Sequence, residues 1–423
     1  MKNKRALFLL IAVVVLLAIA LYIRVWQISN QAAEKEKRLW QIQSVDTMKY
    51  SRDLSRDKLG DPIFDITIHQ MMKQIAATGA THVAIGTPYD KEFLPILSRF
   101  VGAARENGLN VWFRGNFAGW EGWFGYKKIG RDEHRQKLRD FLNKNSSLFR
   151  DGDIFSPCPE CENGGPGDPR KTSDAEGHRL FLIEETHIAD EIFKEKNLKV
   201  AANFHSMNGD VAKLIMDKKT TRALGGIVVV DHYIADPKQL ALDIREYAKL
   251  SGGKVVLGEF GAPILDIHGR MTEEEQAEWL TDALSLGVAV EDLIGLNYWV
   301  NVGGSTALWR ENGVPRKAVS SLTMFYKPTV IAIRVENPMG MKLDATVEYM
   351  GRVYTVDKSG TLQLPVFPQT EVSIQAKDYF DAKTKLTLDK NNTVIVLEPK
   401  KKDIGYRVRY FLSLPLNFLR FAQ

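Results

Sequence analysis

Between residues 39 and 328, short runs of β-branched and aromatic residues alternate with longer amphipathic stretches. The runs cover 45–53 (VDTMKYSRD), 82–88 (HVAIGTP), 111–117 (VWFRGNF), 154–160 (IFSPCPE), 200–205 (VAANFH), 226–233 (GIVVVDHY), 254–261 (KVVLGEFG) and 294–300 (IGLNYWV). Helical spacing of apolar residues follows over 62–78, 92–106, 133–143, 184–196, 237–250 and 273–286. Strands alternating with helices of this length predict βαβ units and a parallel sheet. Eight such units in about 280 residues fit a closed (β/α)8 TIM barrel better than an open doubly wound sheet. No GxGxxG follows the first run, so nothing supports a dinucleotide-binding fold.

After residue 328 the period changes. Residues 329–399 carry short alternating strands separated by turn residues, with no helical spacing, which predicts a small all-β sandwich as an accessory domain. Residues 400–423 (KKKDIGYRVRYFLSLPLNFLRFAQ) form a basic tail rich in aromatic residues and leucine. Such a tail suits a membrane surface; packing back on the domains is the alternative, and Pro415 interrupts any long helix there.

The N-terminus opens with MKNKR and then an unbroken apolar run over 6–23 that ends at Arg24. Eighteen residues at 1.5 Å each span about 27 Å, close to the hydrocarbon core of a bilayer. The expectation is an uncleaved signal anchor. Residues 1–24 would be a cytoplasmic tip and transmembrane helix, and 25–38 a polar stalk. Ala18-Ile19-Ala20 matches a small-x-small cleavage site, so a cleaved signal is the alternative. One span ahead of a large folded domain predicts a single-pass protein of the cell membrane with its folded part outside the cytoplasm.

Composition narrows the class. The chain has 423 residues, 44% hydrophobic and 26% charged, with a net charge of +5. That excludes a disordered, collagenous or polytopic protein. No basic block interleaved with aromatics appears, so nucleic acid is not an expected partner. Two cysteines exclude a disulfide scaffold and a Cys-only zinc site.

In a barrel of this kind the chemistry sits at the C-terminal ends of the strands. There the chain offers Arg114 and Asn116, Cys158-Pro159-Glu160-Cys161-Glu162-Asn163, Asn203 and His205, Asp231-His232-Tyr233, Gly258-Glu259-Phe260-Gly261, and Asn297-Tyr298-Trp299. Two carboxylates on one rim suit hydrolysis of a glycosidic bond. One protonates the departing oxygen; the other attacks the sugar carbon or activates water. Glu259, between glycines that allow close approach, is the candidate nucleophile, with Arg114 or Tyr233 to hold it ionised. Glu160 is the candidate acid, preferred over Glu162 because the glycines after Asn163 stop the strand. Trp120 and Trp123, in a glycine-spaced loop after the third run, suit stacking on sugar rings; packing as a lid is the alternative reading. His205 and His232 lack an HxH, an HExxH or a third close partner, so no metal or other cofactor is expected. Cys158 and Cys161 suit a local disulfide bracing the acid loop. Two free thiols, or a cysteine nucleophile working with His205 or His232, are the alternatives.

With Glu160 at the fourth strand, Glu259 in GEFG at the seventh, His232-Tyr233 at the sixth and Trp299 at the eighth, residues 45–302 resemble clan A of the retaining glycoside hydrolases. That clan includes the cellulase- and mannanase-like families. The resemblance implies Glu160 as acid/base, Glu259 as nucleophile, Tyr233 bonded to the nucleophile, and Trp299 flooring the subsite of the attacked sugar. The substrate would be a β-linked oligosaccharide or polysaccharide. One position departs: the clan usually has Asn before the acid/base, contacting the 2-hydroxyl, and this chain has Pro159. Asn163, Asn203 and His205 are the groups placed to replace it. A non-catalytic glycan-binding protein, or an envelope scaffold on a degenerate barrel, is the rival expectation.

Overall fold

The computed structural model describes residues 38–356, 361–367, 370–386, 392–408 and 410. The apolar run 6–23, the stalk up to residue 37 and the tail beyond 410 lie outside them. Among the described residues no helix is long and apolar enough to cross a membrane.

Eight parallel strands follow in chain order: β1 (Ile42–Asp46), β2 (His82–Ile85), β3 (Asn110–Phe113), β4 (Ile154–Phe155), β5 (Ser206–Asn208), β6 (Ile227–Asp231), β7 (Lys254–Phe260) and β8 (Leu293–Tyr298). Their order in the sheet is β4-β3-β2-β1-β8-β7-β6-β5. The ring closes between β4 and the approach to β5, where Ile154 bridges Ala201 in parallel. The principal helices are α1 (Phe64–Ala77), α2 (Leu94–Glu106), α3 (Arg131–Lys144), α4 (Ala175–Glu195), α5 (Gly209–Ile215), α6 (Pro237–Ser251), α7 (Glu273–Val288) and α8 (Ala318–Tyr326).

Two expected strands are displaced. The first ends at Asp46, and residues Met48–Ser51 of the same run form a helical turn. The fifth begins only at Ser206. Between Ala201 and Ser206 the backbone leaves the ladder, and the Asn203 amide bonds the Leu224 carbonyl at 2.9 Å.

Alternation along the strands builds the barrel interior in two layers. Ile42, Ala84, Trp112, Ile154, Phe204, Val229 and Val256 fill an apolar layer toward the N-terminal ends of the strands. Two residues further on, the inward positions turn polar. Ser44 follows Ile42, Arg114 follows Trp112, Ser156 follows Ile154 and Asp231 follows Val229, all buried. The outward residues, such as Val83, Val111, Phe113, Phe155, Val228, Val230 and Leu257, join the helices in one large apolar core.

Beyond α8, seven strands from β9 (Thr329–Glu336) to β15 (Asn392–Val396) form a four-stranded and a three-stranded sheet. Alternate residues such as Ile331, Ile333 and Val335 of β9 are buried. This is the all-β accessory unit expected after the barrel. It meets the barrel where the Arg352 Nε donates to the Val288 carbonyl at the end of α7, and where Phe325 stacks on Phe367 with centroids 4.5 Å apart. A cation on the last carbonyls of a helix is favourable for charge as well as hydrogen bonding.

Candidate active site

The polar layer at the mouth is organised by one guanidinium. Arg114 continues β3 and is 1% exposed. Its Nη1 donates to Asp46 Oδ2 at 2.8 Å and to Glu259 Oε1 at 3.0 Å. Its Nη2 donates to Ser206 Oγ at 3.0 Å and faces Asp231 Oδ2 at 3.4 Å. Asn297 donates to Asp46 Oδ2 at 3.1 Å and to the Gly258 carbonyl at 2.8 Å. A buried cation among three buried carboxylates has the paired and hydrogen-bonded surroundings that such charges require.

Glu259 stands at the end of β7, where the register against β6 and β8 shifts. The glycine before it is needed. A Cβ at Gly258 would lie 2.4 Å from Asp231 Oδ1 and 2.9 Å from the Ser206 Cβ. The second oxygen of Glu259 accepts the Tyr233 hydroxyl at 2.8 Å. Burial pushes the Glu259 carboxyl up to about 7. Arg114 and the Tyr233 hydrogen bond pull it down, and the charges of Glu160 and Asp46 add to the push.

Glu160 reaches the same space from the loop after β4. Its backbone is left-handed, at φ 46° and ψ 46°. Its N–H donates to the Ser206 carbonyl at 2.7 Å. Its carboxyl is held above the usual range, chiefly by burial, with Arg114 opposing. The Asn163 amide is 3.3 Å from Glu160 Oε1. Oxygens of Glu160, Asp231 and Glu259 all lie within 4.8 Å of one another. Three carboxylates so close are also a chelating pattern, but here Arg114 already supplies cationic charge to Asp231 and Glu259.

Glu162 points elsewhere. It is 3% exposed, and its Oε1 accepts the Asn208 N–H at 2.7 Å, at the start of α5. The Cys158–Cys161 disulfide closes the loop that carries Glu160, with Cα atoms 5.2 Å apart. This leaves no free thiol among the described residues, so the thiol and cysteine-nucleophile alternatives are set aside.

The other expected site residues divide. Tyr233 and Trp299 flank the mouth, their rings edge-on with centroids 6.1 Å apart. Trp299 is half-buried, and Lys49 Nζ lies 5.9 Å from its ring centre. Trp123 is also half-buried, under the Arg52 guanidinium at 4.7 Å. His232 is half-buried and bonds Asp243 of α6 at 2.7 Å.

Four expected substrate contacts are instead built into the protein. Trp120 is 1% exposed, stacks on Phe181 at 5.2 Å and donates to the Cys161 carbonyl at 3.1 Å. Asn116 is buried and accepts from the Phe117 N–H at 2.7 Å, its Oδ1 also lying 2.8 Å from His134 Nε2. His205 is buried on Thr186 at 2.8 Å, and burial lowers its ring to about 3. Asn203 bonds Leu224, in the turn that precedes β6. In each case the side chain bonds an internal partner, His205 through Nε2, and packing wins over exposure. Of the three groups proposed to stand in for the missing asparagine, only Asn163 is exposed beside Glu160.

Sequence reasoning passed over Asp46, Ser206 and Glu121. The first was legible as the inward partner of Ile42 and Ser44. Glu121, beside Trp120, is pushed up to about 7 by burial and then by the charge of Glu160, with Arg52 opposing.

No family model and no curated protein matches the chain. Solved structures resemble it in fold. A GH5_18 protein of Bifidobacterium longum subsp. infantis superposes with a TM-score of 0.50 at 14% identity, covering 70% of this chain and 83% of that one. A GH5_18 protein of Bifidobacterium longum subsp. longum ATCC 55813, solved in complex with Manβ1-4GlcNAc, gives 0.48 at 14% identity over 70% and 82% of the two chains. β-Glucuronidase 3 of Bacteroides uniformis gives 0.44 at 12% identity over 78% of this chain and 47% of that one, so this chain spans about half its length. The likeness at a TM-score of 0.50 is one of fold, a ring of eight parallel strands, which is the architecture expected from the alternation of strand and helix.

Proposed function

We propose that the protein is a glycoside hydrolase that cleaves a β-linked glycan by a retaining double displacement. The supporting observation is the approach of the Glu160 and Glu259 carboxylate oxygens to within 4.8 Å across the mouth. Facing oxygens this near suit the roughly 5–5.5 Å between carboxyl groups of retaining enzymes, whereas inversion leaves room for a water at roughly 6.5–9.5 Å.

The surroundings of the two carboxylates divide the labour. Glu259 receives donors on both oxygens, Arg114 on one and Tyr233 on the other, which favours its ionised form. Among the described residues no cation is bonded to Glu160, only the Asn163 amide. On these donors the reading gives the ionised form to Glu259 and the proton to Glu160. In this reading Glu259 attacks the anomeric carbon while Glu160 protonates the leaving oxygen. Glu160 then takes a proton from the water that releases the sugar. Trp299 lies beneath the attacked ring, and Asn163 takes the place of the absent asparagine.

The test is an aryl glycoside panel with Glu259→Gln and Glu160→Gln. Each variant abolishes hydrolysis with the fold intact, and the wild-type product keeps the anomeric configuration of the substrate. Glycan binding without turnover would favour a lectin-like protein instead. Anchoring through residues 6–23, with the barrel outside the cytoplasm, belongs to the same reading. Membrane fractionation of the full chain beside one lacking residues 1–30 tests it.

A further inference from the structure

We infer that the four-residue ring closed by Cys158 and Cys161 is the device that aims the Glu160 carboxyl, so that opening this bond removes acid assistance and spares the Glu259 side of the mouth. The inference rests on the roles just proposed for the two carboxylates.

The ring contains Pro159 and Glu160 and nothing else between the cysteines. Proline fixes one of the inner φ angles. Glu160 carries the other at φ 46°, a conformation that a residue with a side chain keeps only where its surroundings impose it. Both ends of the ring are fastened to buried groups. The Asn116 amide lies 3.6 Å from Cys158 Sγ, and Trp120 donates to the Cys161 carbonyl at 3.1 Å. Next to the ring, Gly165 is pinned by its N–H to the Trp120 carbonyl at 2.9 Å. With the ends held and the bond closed, the two inner residues have little freedom, and the Glu160 side chain leaves the ring in one direction. With the bond open, the Glu160 N–H stays tethered to the Ser206 carbonyl at 2.7 Å, and Glu160 relaxes toward right-handed φ, which swings its carboxyl off the mouth.

The nucleophile side touches this ring only through Ser206, whose carbonyl accepts the Glu160 N–H and whose hydroxyl accepts from Arg114. The donors to Glu259 come from Arg114 on β3 and Tyr233 after β6, and neither bonds a cysteine. Opening the ring therefore separates the requirement for acid/base assistance from the requirement for a nucleophile. A 2,4-dinitrophenyl glycoside departs without a proton, while a phenyl glycoside needs one.

The experiment compares the oxidised full chain with the Cys158→Ser/Cys161→Ser pair, and with full chain reduced by dithiothreitol. In the reduction two electrons and two protons pass to the S–S bond, giving two thiols, and dithiothreitol closes to its cyclic disulfide. The expected result is a fall in kcat/KM on phenyl glycosides of roughly a hundredfold or more, the lower end of what a positioned acid contributes. On dinitrophenyl glycosides kcat/KM stays within about twofold, since proton transfer is not needed. On the same substrates kcat falls, because Glu160 no longer takes the proton of the attacking water, and added azide, which attacks without a base, restores it. An equal change on both leaving groups, or no change on either, with the unfolding midpoint preserved, overturns the inference. Intact-mass labelling by 2-deoxy-2-fluoro dinitrophenyl glycosides separates the two readings. Label on Glu259 in both redox states supports the independence of the two sides. No label in the oxidised chain removes the nucleophile assignment, and the inference with it.

Discussion

Arg114 and Ser206 join the two halves of the mouth. Arg114 Nη2 donates to Ser206 Oγ at 3.0 Å, and the Ser206 carbonyl accepts the Glu160 N–H at 2.7 Å. Through its other amine the same guanidinium holds Glu259. The Glu160 loop, the start of β5, β3 and β7 are thus tied by one buried chain of hydrogen bonds.

The first prediction concerns that cation. Arg114→Met removes the positive charge from among Asp46, Asp231 and Glu259, all of which remain buried. Removing one partner of a buried ion pair costs about 3–5 kcal/mol because the remaining charge is uncompensated. Urea unfolding at pH 7 should show a loss of that order. A loss under about 1 kcal/mol, as for an exposed pair, would mean that the carboxylates are already neutral.

Tyr233→Phe removes one donor from Glu259 and leaves its packing beside Trp299. A hydrogen bond to a charged group contributes about 1.5–3 kcal/mol, so kcat/KM should fall roughly ten- to a hundredfold. The pH profile gives the sign. Wild-type kcat/KM should fall below about pH 7 as Glu259 takes up its proton. The tyrosine bond lowers that value, so the variant's acid limb should move to higher pH. An unmoved limb would detach the titration from Glu259.

Much of this was legible in the sequence because period and position are local. The alternation of strand and helix announced the barrel, and GEFG placed a carboxylate at a strand end with room beside it. The failures arose where tertiary partners decide. Asn203 and His205 look like rim residues if the fifth strand spans 200–205, but that strand starts at Ser206, and each side chain finds an internal partner instead. Trp120 has the spacing of a sugar platform, and only the packed structure shows Phe181 on its face. Asp46 went unselected because the first run was read past its true end.

Trp120 and Trp123 should therefore behave differently although three residues apart. Trp120 is core: a Cβ at Gly165 would lie 2.2 Å from its ring, and Phe181 covers it. Trp120→Ala should cost about 3–5 kcal/mol of stability. Trp123 is half-buried at the rim, so Trp123→Ala should leave the denaturation midpoint nearly unchanged and raise KM for longer glycans. Comparable stability losses in both would place Trp123 in the core as well.

The last prediction uses the opposite titrations of two buried groups. Glu259 has its folded pKa raised from 4.5 to about 7, so the folded chain holds this proton where the unfolded chain has released it. Stability is then lost as pH rises from about 4.5 to 7. Glu259→Gln cannot ionise and escapes that loss. Relative to wild type it should gain up to about 3 kcal/mol between pH 4 and pH 8, the free energy of a shift of this size. His205 works the other way. Its ring is lowered from 6.5 to about 3, so its share of stability is full above 6.5 and is lost as pH falls. Because His205 is present in both proteins, the difference between their stability curves isolates Glu259. A difference that stays flat from pH 4 to pH 8 would show that Glu259 is not held protonated by burial, and the nucleophile would then be ionised throughout.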